Sequence, residues 1–292
     1  LSFFDQIDTD SITETAFVDL PAHNDVPAMV EDVEVMGHYA VAAGGGIGCL
    51  WAVNIDRPKE STVVSELCIP DRDDQLSNLS IIDSEHLLVS GGRACTGVYV
   101  ASVSETGALN WVSLQHDIGC VISVATNGTS CAIATATGTL YTCRIDATNY
   151  TLIILRDYKD LSLRSLRYVD DRLYFDAGRP SPRSPENGIA ILGYIDPRSD
   201  DVAIIDDDLD NGRGDALQPG LIGHFLKTPA IGDFRRGVLI YDGLEGHQTA
   251  QPLRTSTPIT VTPSPLSTIS PTRNSSVCSR ATSCAYLPFS RR

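Results

Sequence analysis

Lysine is nearly missing from these 292 residues: Lys59, Lys159 and Lys227 are the whole complement, and methionine and tryptophan stop at two each. Positive charge therefore rests on arginine, which suits bidentate and interface contacts better than diffuse attraction. The 22 basic residues face 37 acidic ones, a net charge of −15. A surface of that sign repels phosphate backbones and excludes general nucleic-acid binding. No run approaches the roughly 18 consecutive apolar residues of a membrane helix. The opening Leu1-Ser-Phe-Phe-Asp5 lacks the basic flank and apolar stretch of a secretory signal. No segment repeats apolar residues at i, i+3, i+4 and i+7, which argues against a helical solenoid. What is present, 42% hydrophobic and 20% charged residues, is the composition of a soluble globular chain with a real core.

The eight cysteines (49, 68, 95, 120, 131, 143, 278 and 284) include no C-x-x-C pair. Most lie in apolar, strand-like runs such as Gly48-Cys49-Leu50 and Ser130-Cys131-Ala132. That placement reads as free thiols acting as small buried apolar groups, in a reducing, cytoplasmic or nuclear setting. Four sequons, at Asn78, Asn127, Asn149 and Asn274, carry the opposite reading of secretion. A chain rich in Ser and Thr also produces such triplets by chance.

Five glycines open short β-rich runs: Gly48, Gly97, Gly138, Gly188 and Gly237, at intervals of 49, 41, 50 and 49 residues. Each of the first four follows an extended run ending in small residues, such as Tyr39-Ala-Val-Ala-Ala43 or Cys131-Ala-Ile-Ala-Thr135, and a third run precedes that one across a turn carrying Gly, Asn or Asp. A fourth run with β-branched residues follows each Gly-led strand, at 61–67, 109–114, 150–155 and 201–205. Four short strands per unit of about 45 residues predict an all-β chain folded as a β-propeller of five or more four-stranded blades. The run Glu14 to Leu20 is expected either to close the ring by pairing into the last blade or to leave an open edge. Residues 1–247 form the propeller on this reading. Residues 248–292, rich in Ser, Thr and Pro, read as a disordered tail with Ser-Pro and Thr-Pro sites open to phosphorylation.

Residues 23–54 resemble one degenerate Trp-Asp repeat: His23 at the entry, a strand, Gly37, a strand ending in small residues, then the Gly-led strand closing on Trp51. The outline recurs from His116 to Tyr141, and the fifth unit ends in Tyr241-Asp242 where that family writes Trp-Asp. The resemblance spans about residues 14–243 as a pattern, with Ala52 in place of the signature Asp. It implies a WD-repeat propeller, a rigid platform that binds proteins or peptides by loops on one face and serves a multi-subunit complex. An incomplete ring would be similar to the open propellers of coat and nuclear-pore scaffolds.

Gly44-Gly45-Gly46-Ile47-Gly48 lacks the following helix of a phosphate cradle and reads as a tight inter-strand loop with positive φ. Its triple glycine also resembles the propeller exchange factor of a small GTPase. Asp206, Asp208 and Asp210 alternate as in a calcium loop, but Asn211 stands at the sixth position and Leu217 at the twelfth, so no metal is expected. The six histidines form no ligand set, and no nucleophile elbow is present. Neither catalysis nor a cofactor is expected. The candidate binding residues are Arg179 and Arg183 in the insertion 178–188, with Arg93 in the corresponding loop of the second unit, placed to grip a carboxylate or phosphopeptide. The alternatives are a lactonase or hydrolase with a carboxylate-lined channel, and GTPase exchange.

Overall fold

The computed structural model describes residues 1–8, 11–22, 27–44, 48–69, 75–91, 97–115, 118–159, 163–169, 171–180, 188–195, 202–209, 222–225, 228–233, 237–241 and 252–253. Among them the regular structure is β-strand, apart from one 3-10 turn at Pro58–Glu60. An N-terminal hairpin, β1 (Ser2–Asp8) and β2 (Ser11–Phe17), precedes five four-stranded antiparallel meanders. The first is β3 (Val30–Met36), β4 (Tyr39–Gly44), β5 (Cys49–Asn54) and β6 (Thr62–Cys68). The second is β7 (Leu76–Ile81), β8 (His86–Gly91), β9 (Gly97–Val103) and β10 (Leu109–Gln115). The third is β11 (Val121–Thr126), β12 (Ser130–Thr135), β13 (Leu140–Ile145) and β14 (Leu152–Tyr158). The fourth is β15 (Leu163–Val169), β16 (Arg172–Pro180), β17 (Gly188–Ile195) and β18 (Val202–Leu209). The fifth is β19 (Ile222–Phe225), β20 (Thr228–Asp233), β21 (Gly237–Tyr241) and β22 (Pro252–Leu253).

First strands touch in the order β3, β7, β11, β15, β19, so the sheets stand side by side as blades with these strands innermost. The sequence explains the packing. Side chains alternate across a strand, and each middle strand divides its residues between two neighbours. In β8, Leu87 and Val89 join a core with Leu50 and Ala52 of the first blade, whereas Leu88 joins Val124 and Ile133 of the third. In β12, Cys131 and Ile133 face the second blade while Ala132 and Ala134 pack against Leu166 and Phe175 of the fourth. Middle strands are therefore buried almost end to end, as β4, β8 and β12 show. Outer strands alternate between exposed and half-buried positions, as in β6. At roughly 1.5–3 kcal/mol for each fully buried large aliphatic side chain, the interfaces between blades hold the molecule together. Close approach also dictates Gly44: a Cβ there would lie 2.7 Å from the ring of fully buried Trp51.

Three expectations change. The run at 14–20 does not enter the last blade. Its strand residues pair with β1, and Val18 beyond them packs on Ala40, Val53 and Ile55 of the first blade. The fifth blade takes its fourth strand from Pro252–Leu253, beyond the expected boundary at 247, and residues 254–292 lie outside the described residues. The five described cysteines are not free thiols: Cys49–Cys68 and Cys131–Cys143 are disulfides, and Cys120 is disulfide-bonded as well. Both described pairs face each other in adjacent strands, across β5 and β6 and across β12 and β13. The meander brings together residues 19 and 12 apart, a proximity that a search for close C-x-x-C spacing passes over.

Candidate functional site

The groups with the most chemistry gather on the innermost strands. Each of the first four has a register shift at the same place, between Val30 and Asp32, Leu76 and Asn78, Val121 and Ser123, and Leu163 and Ser165. A bulge re-aims the side chain beside it, and three of these side chains reach into the next blade. Asp32 Oδ2 accepts hydrogen bonds from Asn78 Nδ2 at 2.7 Å and Leu79 N at 2.8 Å. Asn78 Oδ1 in turn accepts from Ser123 Oγ at 3.1 Å and Val124 N at 2.8 Å, and Ser123 Oγ accepts from Leu166 N at 3.0 Å. Two residues further along, Ser80 Oγ accepts from Thr126 N at 3.0 Å. Glu34 of the first blade meets Arg167 of the fourth at 2.7 Å, with both side chains mostly buried.

Burial pushes the Asp32 carboxyl up to about 6, with Glu34 adding to the rise; the hydrogen bonds from Leu79 and Val33 and the charge of Arg167 oppose it. The dipeptides Asp32-Val33, Asn78-Leu79, Ser123-Val124 and Ser165-Leu166, recurring at 46, 45 and 42 residues, were the legible trace of this clasp. The sequence reading followed the glycines and missed them.

Of the residues expected to bind partners, Arg179 lies in β16 opposite Ile189. Arg93 and Arg183 lie outside the described residues. The flanks of the insertion are ladder: Gly178, Arg179 and Pro180 pair with Ala190, Ile189 and Gly188. Asp206 to Leu209 belong to β18, and Asp210 to Leu217 lie outside the described residues. Gly48 has φ 58°, as the tight-loop reading required, and β5 follows it.

Two of the described histidines have local partners, whereas His23 and His116 lie outside the described residues. His38 bonds Asp56 on the surface, and His86 at the β7–β8 turn meets Asp83 at 2.8 Å and stacks on Tyr150 at 3.9 Å. Tyr150 donates to Asp83 Oδ2 at 3.0 Å and holds a φ of 55°, rare for a tyrosine. Burial works to raise the Asp83 carboxyl, but hydrogen bonds from Glu85, His86 and Tyr150 hold it below its ordinary value. Tyr150 also borders a groove of about 270 Å³ with Leu152, Val98, Val100 and Leu114, between the second and third blades. Cys49, Glu66 and Cys68 come within 4.8 Å of one another, but their two sulfurs are joined to each other and offer no thiolate.

No protein-family model matches the chain, and no curated protein sequence does. Solved structures do. A Bacteroides uniformis protein assigned provisionally as a 6-phosphogluconolactonase is 11% identical, with a TM-score of 0.58 over 87% of this chain and 76% of its own. The β-propeller domain of Cps50 (Swd1) from Myceliophteria thermophila is 11% identical, at 0.51 over 80% and 76%. Sqt1 of Saccharomyces cerevisiae is 12% identical, at 0.50 over 78% and 75%. At such identities the likeness concerns architecture. The repeated four-stranded sheets and these neighbours together establish a β-propeller fold.

Proposed function

We propose that this propeller is a non-catalytic platform for protein assembly, binding partners along its outer strands and through loops on one face. The rim carries the reading. Nine large apolar side chains are exposed among the described residues, and seven of them lie on outer strands: Val64 in β6, Val112 and Leu114 in β10, Ile153, Ile154 and Leu155 in β14, and Val202 in β18. In β14 three aliphatics in a row face solvent, Leu155 is 60% exposed, and the strand stands at the edge of its sheet. An apolar edge strand invites an extended partner segment, with main-chain bonds for affinity and side-chain contacts for choice. Arg93, Arg179 and Arg183 would add contacts to an acidic segment at the end of the blades where β8 leads to β9 and β16 to β17.

The test is purification of the full chain from its own cells with mass spectrometry of stoichiometric partners. Leu155→Glu and Ile153→Glu should release a rim-bound subunit without changing the melting temperature, and Arg179→Glu with Arg183→Glu should weaken a face-bound one. Protein that purifies alone and hydrolyses a generic lactone overturns the proposal.

One observation favours a second reading, a small-molecule hydrolase working at the axis: Asp32, Glu34 and Arg167 converge there. The fold likeness to the provisional lactonase supports it in architecture only. On this reading lactone turnover exists and falls with Glu34→Gln. On the platform reading these groups are structural and no turnover is found.

A further inference from the structure

Two independent features of the molecule meet in its third blade. One is covalent: Cys131–Cys143 joins the middle strands of that blade, Cys49–Cys68 joins the third and outer strands of the first, and Cys120 is also oxidised. Cross-links of this kind form and persist where thiols are kept oxidised. The other is the placement of the sequons. Asn127 occupies the β11–β12 turn, exposed, with Oδ1 accepting from Ser130 N at 3.0 Å; the next residue, Gly128, has φ 101°. Asn149 occupies the β13–β14 turn, also exposed, with Oδ1 accepting from Thr151 N at 3.1 Å and Thr151 Oγ1 at 2.8 Å. For neither asparagine is the amide nitrogen, the atom that carries a glycan, used in a bond to another described residue.

The sequon at Asn78 is the internal contrast. Its Nδ2 donates to Asp32, its Oδ1 accepts from the third blade, and Ser80, which completes the triplet, is buried against Thr126. A sugar on Asn78 would separate the first blade from the second.

The geometry points to an exported, disulfide-clasped propeller that is N-glycosylated at Asn127 and Asn149 and unmodified at Asn78. An oxidising compartment on the secretory route replaces the reducing one expected from the strand-like setting of the cysteines. In the modification the Asn Nδ2 attacks C1 of a sugar on a lipid-linked diphosphate donor. A C–N bond forms, the C1–O bond breaks, the lipid diphosphate departs, and the amide gives up one proton. The two turns sit at one end of their blade, joined by the bond from Ile145 N to Thr129 O at 2.9 Å. Strand alternation puts the β8-to-β9 and β16-to-β17 connections at the opposite end. Glycans would therefore cover one face and leave the arginine-bearing end accessible.

The experiment uses the full chain purified from the cells that make it. Peptide-N-glycosidase in heavy-oxygen water, followed by peptide mass spectrometry, reads each site as a labelled aspartate. Alkylation of the denatured, unreduced protein reads the thiols. Label at Asn127 and Asn149 but not at Asn78, with Cys49, Cys68, Cys131 and Cys143 protected from alkylation, is the expected result. Asn127→Gln and Asn149→Gln should each remove one glycan from the gel mobility. Unlabelled Asn127 and Asn149, label at Asn78, or alkylation of those cysteines before reduction overturns the inference.

Discussion

Replacing Asn78 with alanine tests the clasp between blades most directly, because its amide joins the first blade to the third. The change strips Val124 N–H of its acceptor inside a residue that is 1% exposed, and a stranded buried donor costs about 1–3 kcal/mol. It also removes the Nδ2 donor from Asp32, a bond to a charged group, worth about 1.5–3 kcal/mol. The expected loss at pH 8 is about 3–5 kcal/mol, read from urea or guanidinium titration monitored by Trp51 and Trp111 fluorescence. The pH dependence identifies the mechanism. Asp32 lies at about 6 in the folded protein against an ordinary 3.8, so its protonated form adds stability that is complete below 3.8 and lost as pH rises through 6. Without the Asn78 donor the carboxylate is worse solvated and its pKa climbs further. The penalty of Asn78→Ala should accordingly be smaller at pH 5, where Asp32 carries a proton, than at pH 8. A loss under about 1 kcal/mol, or one equal at both pH values, would refute the claim that these bonds bind blade to blade.

Other perturbations probe separate parts of the same structure. Reducing the disulfides opens loops of 19 and 12 residues, and at about 3 kcal/mol for a loop near 15 residues the thermal midpoint should fall by several degrees in dithiothreitol. Gly44→Ala drives a methyl group to within 2.7 Å of Trp51 and should cost roughly 1–3 kcal/mol in the same denaturation assay. Tyr150→Phe removes a hydrogen bond that keeps Asp83 below its ordinary value. Asp83 contributes stability present above 3.8 and lost as pH falls through its depressed folded value, so the variant should show a shallower acid loss, read as the midpoint between pH 2 and 5. Leu155→Glu, on an exposed strand position, should leave stability within about 0.5 kcal/mol while abolishing capture of a rim-bound partner.

The fold was legible because the hydrophobic effect writes it with a period. Strand-length runs, turn residues and intervals near 45 residues place all four strands in each of the first four blades close to where they lie. The short β22 escaped, since two residues carry no pattern. The N-terminal run was read as a strand, as β2 is, but its partner was not: β-propensity marks a strand without naming what pairs with it. Disulfides escaped for a related reason, since opposed positions depend on register, which the turns set and the cysteine spacing alone does not. The inner clasp left a trace in Asp32, Asn78 and Ser123, but the residue type changes from blade to blade while the function of reaching the next backbone amide is kept. Identity of chemistry without identity of letters is invisible to a search for repeated motifs.

That exchange of letters has an energetic consequence. Asp32 is the acidic member of the clasp and is held by Leu79 N, Val33 N and Asn78 Nδ2, whereas the third blade performs the same task with Ser123. A carboxylate accepts stronger bonds than a hydroxyl but is costly to bury, and moving Asp32 from 3.8 to about 6 corresponds to about 3 kcal/mol against the ionised form at neutral pH. A neutral group of the right length would avoid that penalty at this one position. Retaining Asp32 places two acids, Asp32 and Glu34, beside a single base, Arg167, at the junction of the first and fourth blades. Asp32→Asn therefore separates the two proposed roles. If the axis is structural, the variant trades bond strength against solvation and keeps partner binding intact. If the axis performs chemistry, the neutral side chain stops turnover in a protein that still folds.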